Sequence, residues 1–164
     1  MKKSEILALV QGGVLNATQH SVSSTHAYKV FKLKSVVRKA FEAILEQEKE
    51  LAKECGIENA EDFDRRRNEL FRNKEKTKEE INELEGMNEK FAKFAQMRNE
   101  LYNEEESGIN SIKTMPFEEW RKLQDENKDV ETSFGKVDVF SGAVEELLFG
   151  VLWKAPEETE EEVA

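Results

Sequence analysis

Apolar residues recur along the chain with a helical period and mark out a long central part between two short flanks. Val30, Leu33, Val37, Ala40, Ile44, Gln47 and Leu51 follow one another at alternating intervals of three and four. This is the seam of a helix that leans on another helix for much of its length. Ala27, Phe31, Lys34, Arg38, Phe41 and Leu45 repeat the rhythm on a neighbouring face. A helix with two such lines touches more than one partner element. The pattern predicts a helix from Ser24 or Thr25 to about Cys55, with Gly56 as its left-handed C-terminal residue.

Asn59 is placed to cap a second long helix over about 60–105, a stretch with a single glycine and no proline. Its apolar positions are thin at Phe63, Leu70 and Phe71 and thicken through Ile81, Leu84, Met87, Phe91, Phe94, Leu101 and Tyr102. Gly86 is the candidate bend. Some 45 residues at 1.5 Å each give roughly 65 Å of helix. Helices in water draw most of their stability from packing, so the two long helices are expected to pair through a short turn near 56–59.

The flanks are built of shorter pieces. Ser4 is placed to cap a helix carrying Ile6, Leu7, Leu9 and Val10, which Gly12 and Gly13 stop. Residues 14–25 are a polar loop. Ser107 and Gly108 break the helical pattern, and residues 109–115 and 137–140 are the two candidates for short strands. Pro116 opens a helix with Phe117, Trp120 and Leu123 on its apolar side. Residues 125–136 are polar and turn-like. Ser141 starts a last helix with Val144, Leu147, Leu148, Val151 and Leu152, ended by Pro156. That helix is too apolar to lie free in water. It is expected to fold back beside the first short helix, the alternative being to dock on another chain.

These elements amount to a mainly α fold: a long antiparallel, coiled-coil-like helical hairpin over about 26–105, with a small head of short helices and up to two short strands from 1–25 and 107–156. A single domain of 1–156 followed by an acidic, disordered tail of 157–164 is the expected organisation.

Composition supports long exposed helices, since charged residues make up 37% of the chain and glycine and proline number 8 and 2. Ten phenylalanines and two tryptophans argue against general disorder. The net charge of −10 is uneven: residues 1–56 carry +3, residues 57–106 carry −5 and residues 107–164 carry −8. An acidic chain of this kind is not a general nucleic-acid binder. Cys55 is the only cysteine, which excludes an internal disulfide and a thiolate zinc cluster and suits a reducing compartment. No apolar run approaches the roughly 20 residues of a membrane span, and residues 6–10 are too short for a signal sequence. The expected location is the cytoplasm, or a particle assembled in one.

No phosphate loop, nucleophile elbow or His-Glu-x-x-His motif is present. His20 and His26, the only histidines, are not spaced as a ligand pair. Glu79, Glu80, Glu83 and Glu85 lie among lysines on a solvated helix. No catalytic, cofactor-binding or metal-binding residue is therefore expected, nor a small-molecule substrate. Phe117, Trp120, Trp153 and Leu148 are the candidate protein-contact residues, with a place in the core of the head as the competing assignment. Lys29, Lys32, Lys34, Arg38 and Lys39 are the best local candidates for phosphate contact, although pairing with nearby carboxylates is the simpler use of them. Arg65, Arg66 and Arg67 form a second basic set, screened by Glu61, Asp62, Asp64 and Glu69. The partner expected is another protein or a second copy, not nucleic acid or a membrane.

The order of elements is similar to that of a group of small, uncharacterised helical-hairpin proteins encoded by bacteriophages and prophages. The likeness rests on the short helix at Ser4-Glu5-Ile6-Leu7-Ala8-Leu9 and the Lys-rich helix entered at Ala27-Tyr28-Lys29-Val30-Phe31-Lys32-Leu33. A charged hairpin, Pro116-Phe117-Glu118-Glu119-Trp120 and Glu145-Glu146-Leu147-Leu148 complete it. The resemblance implies a phage accessory or virion- or tail-assembly protein, non-enzymatic, with no site residues to carry over. The alternative from the charge gradient is a regulatory module that contacts nucleic acid or a nucleic-acid-binding protein.

Overall fold

The computed structural model describes residues 1–106 and 108–155. The described residues are mainly helical. They form α1 (Lys3–Gln11), α2 (Ser24–Glu54), α3 (Ala60–Arg72), α4 (Lys78–Asn103), α5 (Phe117–Glu126) and α6 (Gly142–Leu148). Two short strands, β1 (Val130–Thr132) and β2 (Gly135–Val137), pair antiparallel. The chain divides into two compact units, Glu42–Glu104 and the remainder on either side of it.

The unit Glu42–Glu104 is an antiparallel hairpin, but its turn is not where the apolar pattern placed it. At Gly56 (φ 73°) the Ile57 N–H donates to the Ala52 carbonyl (2.8 Å) and the Gly56 N–H to the Lys53 carbonyl (2.8 Å). This paired cap ends α2. Ala52, Cys55 and Ile57 are buried there against Phe63, Phe94 and Met97. The chain then carries on along the same partner. Tyr102 donates to Glu48, Cys55 Sγ meets Met97 Sδ at 3.7 Å, Arg67 donates to Asn88, and Asn73 donates to Glu80. The partners of rising residue numbers fall steadily. One arm is therefore the last part of α2 followed by α3, and the other is α4.

The reversal falls between Asn73 and Thr77. Asn73 Oδ1 accepts from the Glu75 N–H (3.1 Å), and Thr77 and Glu80 close a reciprocal capping box that starts α4. The expected unbroken helix over 60–105 is thus two helices, and Gly86, the candidate bend, lies within α4.

The other unit joins the two ends of the chain. Ile6, Leu9, Val30, Leu33, Val37, Ile109, Trp120, Leu123, Phe140, Leu148 and Leu152 fill its core. Fully burying one such aliphatic side chain contributes about 1.5–3 kcal/mol. α6 packs on α1 so closely that a Cβ at Gly12 would lie 2.2 Å from Val144 Cγ2. Gly13 (φ 83°) turns the chain beneath the β-hairpin, where a Cβ would come within 3.0 Å of Val137 and Thr132 methyls.

Three expectations for this unit are corrected. Residues 109–115 are not a strand: they begin in a 3₁₀ turn, Gly108–Ser111, and end at a single bridge from Met115 to Trp153. Two short strands are present, but β1 and the first residues of β2 occupy the polar stretch expected to be a turn, and only Val137 falls in the expected strand at 137–140. Gly135, at φ 101°, closes the two-residue loop between them. The last helix stops at Leu148, since Gly150 (φ 75°) turns the chain and its N–H donates to the Trp153 carbonyl (2.7 Å). The expected acidic tail lies outside the described residues. No described helix is long and apolar enough to cross a membrane.

Candidate interaction surfaces

The polar loop before α2 is fastened residue by residue to α5. The buried Asn127 at the end of α5 accepts from the Thr18 N–H (2.7 Å) and donates to the carbonyls of Thr18 and Leu123 (2.8 Å each). Glu126 accepts from the N–H groups of His20 (2.7 Å) and Ser21 (2.9 Å). Glu119 accepts from the Ser23 N–H (2.8 Å) and lies 3.1 Å from His26 Nδ1. The two histidines thus border a structural clamp, and no group of carboxylate, His and Cys side chains among the described residues is arranged to hold a metal.

Lys122, at 2.7 Å, is the main cause that holds the Glu119 carboxyl at about 2, below its ordinary value of 4.5, with the Ser23 N–H and His26 adding to it. A carboxyl held down in the folded state contributes stability in full above its ordinary value, and that contribution disappears as pH falls towards about 2. Thermal melts should therefore show Glu119→Gln less stable than wild type near neutrality, with the two curves converging on acidification. A constant gap down to acid pH would assign the loss to packing instead.

The first basic set is split by the structure. Lys29 Nζ donates to the Thr114 carbonyl (2.7 Å) and Lys34 Nζ to the Ala17 carbonyl (2.6 Å), so both are turned inward. Burial, and secondarily Arg38, pushes the Lys34 ammonium below its ordinary value. Arg38 and Lys39 are exposed and Lys32 is half-buried beside the exposed rings of Tyr28 and Phe31. The second set is used within the hairpin. Arg66 makes two 2.8 Å bonds to Glu83, Arg65 pairs with Asp62, and Arg67 lies 4.2 Å over Phe91.

The candidate contact residues near the C-terminal end form one aromatic cluster. Trp120 stacks on Trp153 (5.4 Å, 8°) and meets Phe140 edge-on (5.3 Å), while Phe117 and Phe149 close on Trp153 at 5.9 and 5.1 Å. Trp120 and Leu148 are fully buried, which makes them core residues and removes them as surface anchors. Phe117 and Trp153 are half-buried at the edge of the cluster. The Trp153 indole donates to the Glu145 carbonyl (3.0 Å).

A surface that the sequence reading passed over lies in the hairpin unit. Between α2 and α4 is an open groove of about 400 Å³, with Leu51, Met97 and Leu101 in its floor. Glu46 and Glu50 line one side and Glu100 and Glu104 the other. Lys53, hydrogen-bonded at 2.7 Å, holds the Glu50 carboxyl below its ordinary value and hence ionised. A second groove of about 340 Å³ runs past Phe63, Phe91 and Phe94. Two of its rings already carry guanidinium groups, Arg67 on Phe91 and Arg98 on Phe94 (5.4 Å). The first groove differs in having glutamates from both helices and no basic side chain in its lining. No family model matches the chain, and no curated protein or solved structure matches it either.

Proposed function

We propose that this is a non-enzymatic helical interaction protein whose acid-rimmed groove takes a cationic amphipathic helix of a protein partner. The observation that supports this is the floor of Leu51, Met97 and Leu101 between paired glutamates on α2 and α4. An apolar ridge flanked by lysines or arginines would cover the floor and meet the carboxylates, the helix-in-groove mode of recognition. The rim charges would speed encounter and set orientation. The likeness in element order to phage-encoded hairpin proteins supports a place in virion or tail assembly. Direct phosphate contact is the weaker alternative, because Lys29 and Lys34 are turned inward. A nucleic-acid-binding protein with a basic helix would suit the groove as a partner.

The test is fluorescence anisotropy with a labelled helical peptide of about 18 residues, leucines along one face and lysines beside them. Binding should weaken with salt. The double variant Glu46→Lys, Glu100→Lys should lose about tenfold or more in affinity, while Glu118→Lys on α5 should not. No binding, or equal losses in both variants, would reject the groove.

A further inference from the structure

The chain carries on its own surface a helix of the kind the groove calls for. Tyr28 and Phe31 on α2 are 65% and 59% exposed, and their rings stack at 6.4 Å. They sit on the outward side of a helix whose opposite side, Val30, Leu33 and Val37, is buried. At 3.6 residues per turn, Tyr28, Phe31 and Ser35 form one line, with Arg38 to one side and Lys32 and Lys39 to the other. Between Ser24 and Phe41 the helix has five cations and no carboxylate. The face is an apolar ridge between cations, and the groove is an apolar trough between anions.

We infer that the groove's partner is the Tyr28–Phe31 face of a second copy of the chain. This rests on the groove being a helix-binding site. Ridge and trough are different surfaces, so a single contact leaves the pair with one free ridge on one copy and one free trough on the other. These close reciprocally in a two-fold dimer or carry association on into larger rings or open chains. Charge complementarity selects this occupant: Lys32, Arg38 and Lys39 meet Glu46, Glu50, Glu100 and Glu104.

Sedimentation velocity over a wide range of concentration tests it. Wild type should self-associate, to a closed dimer or beyond, and less so at high salt. Phe31→Glu, which spoils the ridge, and Glu46→Lys with Glu100→Lys, which spoils the trough, should each be monomeric alone. Their equimolar mixture should form a one-to-one dimer, because one copy supplies an intact trough and the other an intact ridge. All the changed residues are exposed, and circular dichroism confirms that each variant folds. A monomeric wild type overturns the inference, as does a mixture that stays monomeric or variants that assemble as wild type does. The peptide assay separates the two ideas: peptide binding by a monomeric wild type leaves the groove standing and removes only the self-partner.

Discussion

Trp120→Ala is expected to lower the folding stability by about 3–5 kcal/mol, among the largest costs a single core truncation brings. The indole is fully buried, and its removal strips a stacking partner from Trp153 and an edge contact from Phe140. The cavity would open between rings carried by separate segments, Phe140 and Trp153, so no single element can shift to fill it. Trp120→Phe should cost much less. The Trp120 Nε1 is buried without a hydrogen-bond partner, so phenylalanine removes an unsatisfied donor along with some volume. Urea unfolding followed by circular dichroism checks both. A phenylalanine variant as unstable as the alanine variant would show that the lost indole volume outweighs the removal of the unpaired donor.

Asn127→Leu is the second large effect, about 3 kcal/mol. Leucine keeps the approximate volume but leaves the Thr18 N–H and the Thr18 and Leu123 carbonyls without the bonds they now make. Asn127→Asp separates shape from donation, since it retains the acceptor and loses both donors. Both variants should release the loop at 17–23 and raise amide exchange there. Unchanged exchange at Thr18 would show that the clamp is carried by Glu126 and Glu119 alone.

The seam of α2 was readable because one face is buried along much of its length: Val30, Leu33, Val37, Ala40 and Ile44 are all in the core. The position of the hairpin turn was not. Gly56 signals a helix end correctly, but a helix end does not say whether the next helix turns back or runs on. The deciding signal was present in Thr77 and Glu80, three apart as a capping box requires. It was masked by the even charge of residues 74–80. Two short strands were expected but misplaced, because β1 and β2 are only three residues each and neither has a buried residue, so no apolar run marks them. The groove was hidden for a different reason. Glutamates four apart on one helix look like a solvated face, and only the pairing of α2 with α4 sets Glu46 and Glu50 opposite Glu100 and Glu104.

The fastening of the loop at 17–23 to α5 has a consequence for the order of synthesis. The bonds from Thr18 to Asn127 and from Ser23 to Glu119 join residues 109 and 96 positions apart. Loops of that length close slowly compared with the local contacts of a hairpin. As the chain leaves the ribosome, residues 42–104 can pair with one another before α5 exists, whereas α1 and the buried stripe of α2 wait for it. The early-made end is therefore the last to be secured, and it is the segment a nascent-chain chaperone would have most time to hold.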